Sequence, residues 1–236
     1  VDVAKGIEAD TLLTMSQVIE NVLKEKRIKV VALSGPTHAE EVALDMPTTI
    51  VSASRDMEAA EKIQEIFMNT CMRVYTNEDV LGVELCGALK NIIALASGIS
   101  SGLGYGDNAR AAIITRGMVE MTRLGLAMGA RKETFPGLAG IGDLIVTATS
   151  VHSRNNKAGT LIGQGMDAES AIKEVGMVVE GINALKPAME LSEHYETELP
   201  IISAVYAIVY EGADPSERLY ALMGREKRSE LNEYYG

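Results

Sequence analysis

The stretch Val83–Asn108, VELCGALKNIIALASGISSGLGYGDN, decides how the chain is read. It begins as a long apolar helix pattern, carries one lysine, Lys90, in its middle, and ends in Gly102, Gly104 and Gly106. The neighbours of Lys90 at helical spacing are Cys86, Gly87, Ile93, Ala94 and Ser97, so its own face offers no countercharge. Burial of that face disfavours the ammonium and lowers its pKa, which suits a lysine to proton transfer. The alternative is a lysine that carries its head to water past an apolar stem. The glycine-rich stretch Gly98–Gly106 follows a helix rather than a strand. It therefore reads as a turn between helices and not as a phosphate-binding loop, which needs a strand before it.

Upstream of this stretch the periodicity alternates. Val1–Lys5 reads as the end of a strand, Thr11–Arg27 as a helix, Lys29–Leu33 as a strand, and Thr37 with Glu40 as a capping box on a short helix closed by Pro47. Thr48–Ser52 is the next strand, Asp56–Asn69 an amphipathic helix and Met72–Tyr75 a further strand. Downstream almost everything reads as helix: Glu78–Ser101, Asn108–Met128, Ala139–Ala148, Arg154–Gln164, Ala168–Val175, Gly181–Tyr195, Ile201–Tyr210 and Pro215–Met223. The pattern is α/β, the C-terminal half of a Rossmann-like doubly wound sheet followed by an all-helical domain. The boundary places residues 1–78 in the sheet-bearing part and residues 79–236 in the helical part.

Composition narrows the function. The 236 residues lack tryptophan and are 47% hydrophobic, so the core is built from aliphatic residues and 12 methionines, as in helix-on-helix packing. A net charge of −11 argues against nucleic acid or an anionic membrane as partner. No uninterrupted apolar run suggests a transmembrane helix. Cys71 and Cys86 stand in no CxxC arrangement, and the three histidines lack ligand spacing, so free thiols in a reducing cytoplasm and no structural zinc are expected. Helical faces rich in Ala, Met and Gly are suited to pairing as a homodimer.

Three polar clusters accompany Lys90. Ser34-Gly35-Pro36-Thr37-His38-Ala39 follows a strand and opens a helix, where ligands bind in open α/β sheets, although an ordinary capped turn has the same composition. Asp143 is the lone charge of Gly137–Asp143, and it either caps a helix or faces a cavity. His152-Ser153-Arg154-Asn155-Asn156-Lys157 opens another helix with a hydroxyl, a guanidinium and an amide, the set that phosphate wants. The bland reading of that third cluster is a solvated polar loop. Together with Lys90 they suggest chemistry on a phosphorylated substrate.

Four segments, SGPTHAEE (34–41), VELCGALKNIIALASGISSGLGYGDNARAAIITRG (83–117), LAGIGDLIVTATS (138–150) and HSRNNKAG (152–159), closely resemble bacterial NAD(P)-dependent glycerol-3-phosphate dehydrogenases. The resemblance runs over essentially the whole chain. It implies reduction of dihydroxyacetone phosphate to sn-glycerol 3-phosphate with NADH or NADPH, a Rossmann domain followed by a helical domain, and a role in phospholipid synthesis. By residue it implies Lys90 as general acid/base, with Lys5, Gly35, Thr37, Lys90, Asp143, Ser153, Arg154 and Asn155 at the substrate. It further implies Lys5, Ala39, Arg154, Val178 and Glu180 at the cofactor. Asp143 near Lys90 would raise the lysine pKa, and a positive partner, taken as Arg154, would lower it.

The sequence begins without Met and without the glycine-rich turn, so the chain is expected to be a fragment that binds cofactor poorly and leaves a sheet edge unpaired. The residue that separates NAD from NADP lies beyond the first βα turn and outside this sequence. Two other readings compete. One is a 6-phosphogluconate or 3-hydroxyacyl-CoA type dehydrogenase, the latter needing a histidine near Lys90. The other is a non-catalytic helical interaction module, which would need none of Lys90, Asp143 and Arg154.

Overall fold

The computed structural model describes residues 1–26, 28–227 and 229–230. Arg27, the expected end of the first helix, and residues 231–236, the end of the expected helical domain, lie outside them.

Short runs bounded by turn residues make a sheet of three strands, β1 (Ala32–Ser34), β2 (Thr48–Ala53) and β3 (Met72–Asn77), in that order. β2 and β3 are parallel, with Thr48 opposite Met72, whereas β1 runs antiparallel, with Ala32 opposite Ala53. Val1–Lys5, expected as a strand end, makes a single bridge: Asp2 donates its N–H to Val31 O and accepts from Leu33 N, both at 2.8 Å. β1 starts later than the expected Lys29, which is drawn to Asp56 at 2.6 Å. Side chains alternate across the sheet. Leu33, Ile50 and Val74 face α3 (Met57–Phe67), while Ala32, Val51 and Ala53 pack with Val83.

Two turns differ from expectation. The first helix, α1, spans only Met15–Val22, because Leu12 at φ 58° and the bridge between Ile7 and Thr14 fold residues 7–14 back on themselves. The short helix α2 (Ala39–Val42) is capped at His38 and not by the Thr37 side chain, whose hydroxyl donates to Gly35 O at 3.3 Å, so no Thr37–Glu40 capping box forms.

The rest of the chain is organised by α4 (Val80–Gly102), which starts at the sheet and is buried along nearly its whole length. Asp79 caps it, accepting from Gly82 N at 3.0 Å, and the same carboxylate takes Thr134 Oγ1 at 2.6 Å. Among the described residues α4 is the one helix long and apolar enough to cross a bilayer, yet it is enclosed by protein and carries Glu84 and Lys90. Around it lie α5 (Asp107–Ala127), α6 (Asp143–Thr149), α7 (Arg154–Gly163), α8 (Ala168–Val175), α9 (Glu180–His194), α10 (Pro200–Glu211) and α11 (Pro215–Met223). Buried Glu120 of α5 holds α10 by accepting from the N–H groups of Ile201 (2.6 Å) and Ile202 (3.1 Å).

Only residues 103–106 of the glycine-rich stretch form the expected turn between helices. Gly98 and Gly102 are still helical, and they meet Gly159 and Gly163 where α4 crosses α7. A Cβ on Gly98 would run into Asn156 O, and one on Gly159 into Leu95 O, so the two backbones touch. Backbone neighbours cannot move aside as a flexible side chain can. Gly159→Ala is expected to destabilise the protein by about 1–3 kcal/mol through overpacking, despite alanine's better helix propensity. Urea denaturation measures this, and an unchanged or raised midpoint would contradict the crossing.

Candidate active site

Lys90 projects from the buried middle of α4 and meets Asp143, the first residue of α6. A π-helical turn, Leu138–Gly142, delivers Asp143, and Gly140 lets that turn lie on Phe135 O where a Cβ would collide. The carboxylate is almost wholly buried, with its side chain 2% exposed, and it takes two ammonium groups. Lys90 Nζ donates to Asp143 Oδ1 at 2.5 Å and Lys5 Nζ to Oδ2 at 2.7 Å. The first turn of a helix also favours a negative charge. Asp143 is thus no helix cap, the commoner of its two readings. Lys90 donates as well to Thr147 Oγ1 at 2.7 Å, whose hydroxyl donates in turn to Asp143 O at 2.6 Å.

Burial lowers the pKa of Lys90 to about 8, the nearby Lys5 ammonium pushes the same way, and Asp143 opposes both. The positive partner is therefore Lys5 and not Arg154, as the sequence reading supposed. Lys5 lies on the segment bridged to β1, and its ammonium also reaches Gly35 O at 3.5 Å. Gly35, at φ 152°, sits with its Cα side against Ile50 and Thr49, where a Cβ would be 3.2 Å from backbone atoms. Thr37 shares the same carbonyl. Lys5, Gly35, Thr37, Lys90 and Asp143 are thereby gathered where β1 meets α4.

The second group is tied to the first through Asn91, the residue after Lys90. Asn91 Nδ2 donates to Glu180 Oε2 at 3.0 Å, and Asn155 Nδ2 donates to Asn91 Oδ1 at 3.0 Å. Asn155 Oδ1 then accepts from Gly181 N at 2.8 Å. Ser153 is spent as the cap of α7, its Oγ accepting from Asn156 N at 3.2 Å. Arg154 is half-exposed, and its guanidinium lies 3.8 Å from Glu180. The first two N–H groups of a helix have no acceptor within it, and here they belong to Arg154 and Asn155. Val178 is exposed just ahead of Glu180. The His38 and His152 rings are 6.1 Å apart, which brings the start of α2, with Ala39, beside the turn before α7.

The sequence reading missed Thr147 and Asn91. Thr147 follows Asp143 by one helical turn, and Asn91 is a lone amide in an apolar helix, so each left a faint trace. Among the described residues no three His, Cys, Asp or Glu side chains cluster to hold a metal ion.

A sheet layer is joined here to a helical body, with a desolvated, ion-paired lysine at the join and a cationic helix start beside it, which makes this an α/β protein with an acid/base candidate next to an anion-ready surface. Its family follows from comparison with known proteins. The model described as NAD-dependent glycerol-3-phosphate dehydrogenase C-terminus matches residues 79–220, and that described as the N-terminus matches residues 1–60. A glycerol-3-phosphate dehydrogenase (NAD(P)+) of Lactobacillus delbrueckii subsp. bulgaricus is 65% identical over 98% of this chain and 70% of its own length. One from Clostridium perfringens is 55% identical over 98% of this chain and 69% of its own. The crystal structure of glycerol-3-phosphate dehydrogenase from Coxiella burnetii superposes with a TM-score of 0.90 at 38% identity, over 94% of this chain and 68% of that one. The chain belongs to the NAD-dependent glycerol-3-phosphate dehydrogenase family. These matches favour neither the 6-phosphogluconate or 3-hydroxyacyl-CoA type nor a non-catalytic module.

Removing the shared carboxylate tests the geometry. Asp143→Ala leaves two ammonium groups facing each other in a buried site, and a broken buried pair costs about 3–5 kcal/mol. Replacing Lys5 with Met in the same protein removes one of the facing charges and is expected to restore part of the loss. Equal midpoints for wild type and Asp143→Ala in chemical denaturation would contradict the shared pair.

Proposed function

We propose that the enzyme carrying this chain is an sn-glycerol 3-phosphate:NAD(P)+ oxidoreductase, reducing dihydroxyacetone phosphate for glycerophospholipid synthesis, with Lys90 as its acid/base. The observation that carries the reading is the buried Lys5–Asp143–Lys90 arrangement. It supplies a lysine whose pKa is lowered to about 8, held between Asp143 and the neighbouring Lys5.

Arg154 and the N–H groups opening α7 are suited to a phosphate, since a guanidinium fork and a helix start both favour an anion. Asn155, fixed by Asn91, positions that end. The substrate carbonyl then lies toward Lys90, whose ammonium donates a hydrogen bond to the C2 oxygen and transfers its proton there as the alcohol forms. The hydride to C2 would come from a nicotinamide dinucleotide held there. Asp143 holds Lys90 in place and, with Thr147, leaves it one orientation. In the oxidative direction the neutral amine of Lys90 accepts the proton from the C2 hydroxyl.

The chain's residues fit the reactive end of a dinucleotide. Ser34 Oγ and His38 Nε2, at the turn between β1 and α2, are buried polar atoms without a partner among the described residues. Lys5, Ala39, Arg154, Val178 and Glu180 are the residues that would hold the cofactor. Both cysteines are unpaired, in keeping with a reducing compartment, and the reading places the enzyme in the cytoplasm.

With dihydroxyacetone phosphate and NADH or NADPH, Lys90→Ala is expected to lower kcat by about 100- to 10,000-fold, the span of a lost general acid. Reduction needs the ammonium form, so its rate falls as pH rises through about 8, while oxidation of glycerol 3-phosphate gains over the same interval. Steady-state kinetics in both directions check this, and a Lys90→Ala enzyme with wild-type kcat would overturn the assignment.

A further inference from the structure

The proposed chemistry leaves two residues of α4 without a role, Glu84 and Gly87. They lie on one face of the helix with Lys90 and Asn91, at spacings of three to four residues. Glu84 is a buried carboxylate with no cation among its hydrogen-bond partners within the described residues. Ser16 donates to it twice, through N–H at 2.7 Å and through Oγ at 2.5 Å. Ser16 is the second residue of α1, so Glu84 satisfies one of the N–H groups that a helix start leaves open. Burial and the nearby Asp2 raise the pKa of Glu84, and the Ser16 and Thr14 groups hold it down.

The position of α1 fixes Lys5. The segment ahead of Lys5 is pinned to the sheet through Asp2, and the segment behind it folds back through the Ile7–Thr14 bridge onto the start of α1. Between these two anchors the Lys5 side chain crosses α4 over Gly87. A Cβ there would sit 3.3 Å from Lys5 Cγ and 3.4 Å from Ser34 Oγ. The ammonium then arrives at Asp143, opposite Lys90.

We propose that Glu84 and Gly87 are positioning residues for Lys5: Glu84 clamps the α1 end of the loop that carries it, and Gly87 clears the track for its stem. This rests on the reading of Lys5 and Lys90 given above. Neither residue touches the reacting atoms. Each acts on the rate only through where the Lys5 ammonium stands, and so through the charge that Lys90 feels.

The test is a set of double-mutant cycles on kcat/KM for dihydroxyacetone phosphate in the holoenzyme. Glu84→Ala and Gly87→Ala are each expected to lower kcat/KM by about 10- to 100-fold, as for a misplaced catalytic group. In a Lys5→Met background each is expected to cost less than about twofold, because the group they position is gone. Glu84→Gln, which keeps an oxygen for the Ser16 N–H, restores most of the rate. Gly87→Ala separates positioning from folding. Alanine is the better helix former, so the melting temperature is expected to hold or rise while kcat/KM falls. Equal losses with and without Lys5, or no loss in either single variant, would overturn the proposal. A Lys5→Met enzyme with wild-type kcat/KM would overturn both it and the assignment of Lys5 to the site.

Discussion

One buried carboxylate shared by two ammonium groups is the constraint on which the site depends. Asp143 is enclosed, and an isolated charge there would be costly. Lys5 and Lys90 make it tolerable, and it makes them tolerable in turn. The two lysines come from distant parts of the chain, one from the segment bridged to β1 and the other from the middle of α4. The ion pair is thus also the joint between the sheet layer and the helical body. Removing one member unbalances the other two, so charge state and architecture are coupled at this point.

The charge count explains the chemistry. Two cations against one anion leave a net positive site, which suits an anionic substrate. Desolvation lowers the pKa of the more buried lysine, and repulsion by Lys5 lowers it further. A lysine paired one-to-one with Asp143 would be held in its charged form and would be a poor proton donor at neutral pH. Burial first, and the second ammonium after it, make Lys90 exchangeable. The Asn91–Asn155–Gly181 relay then ties the start of α7 to the adjacent position of the same helix, so in the proposed reading α4 would orient both ends of the substrate.

Much of this was legible in the sequence where one local pattern suffices. The helices α3 to α5 and α7 to α11 fall close to their expected bounds, because apolar residues at helical spacing bury one face, whereas α6, expected from Ala139, starts only at Asp143 because residues 138–142 wind as a π-helical turn. The helix was expected to run through Gly98 and to end at Ser101, and the approach of α7 shows why glycines stand at 98 and 102. Thr37 with Glu40 had the spacing of a capping box, yet Gly35 O claimed the hydroxyl. Lys90 stood out as a lone charge in an apolar helix, but its partners did not. Asp143 and Lys5 are brought together only by the tertiary fold, and no periodicity carries that information. Arg154 was the more conspicuous cation, and Lys5 is the one that faces Lys90.

The chemistry of the site turns on the protonation of a single amine, and that can be observed directly. An NMR titration of the Lys90 side chain, assigned by its loss in Lys90→Met, is predicted to show a midpoint of about 8. The same titration in Lys5→Met should move upward, since a repelling charge has been removed while Asp143 remains. A wild-type midpoint at the ordinary lysine value of about 10.4, or one indifferent to Lys5, would contradict the shared-carboxylate site.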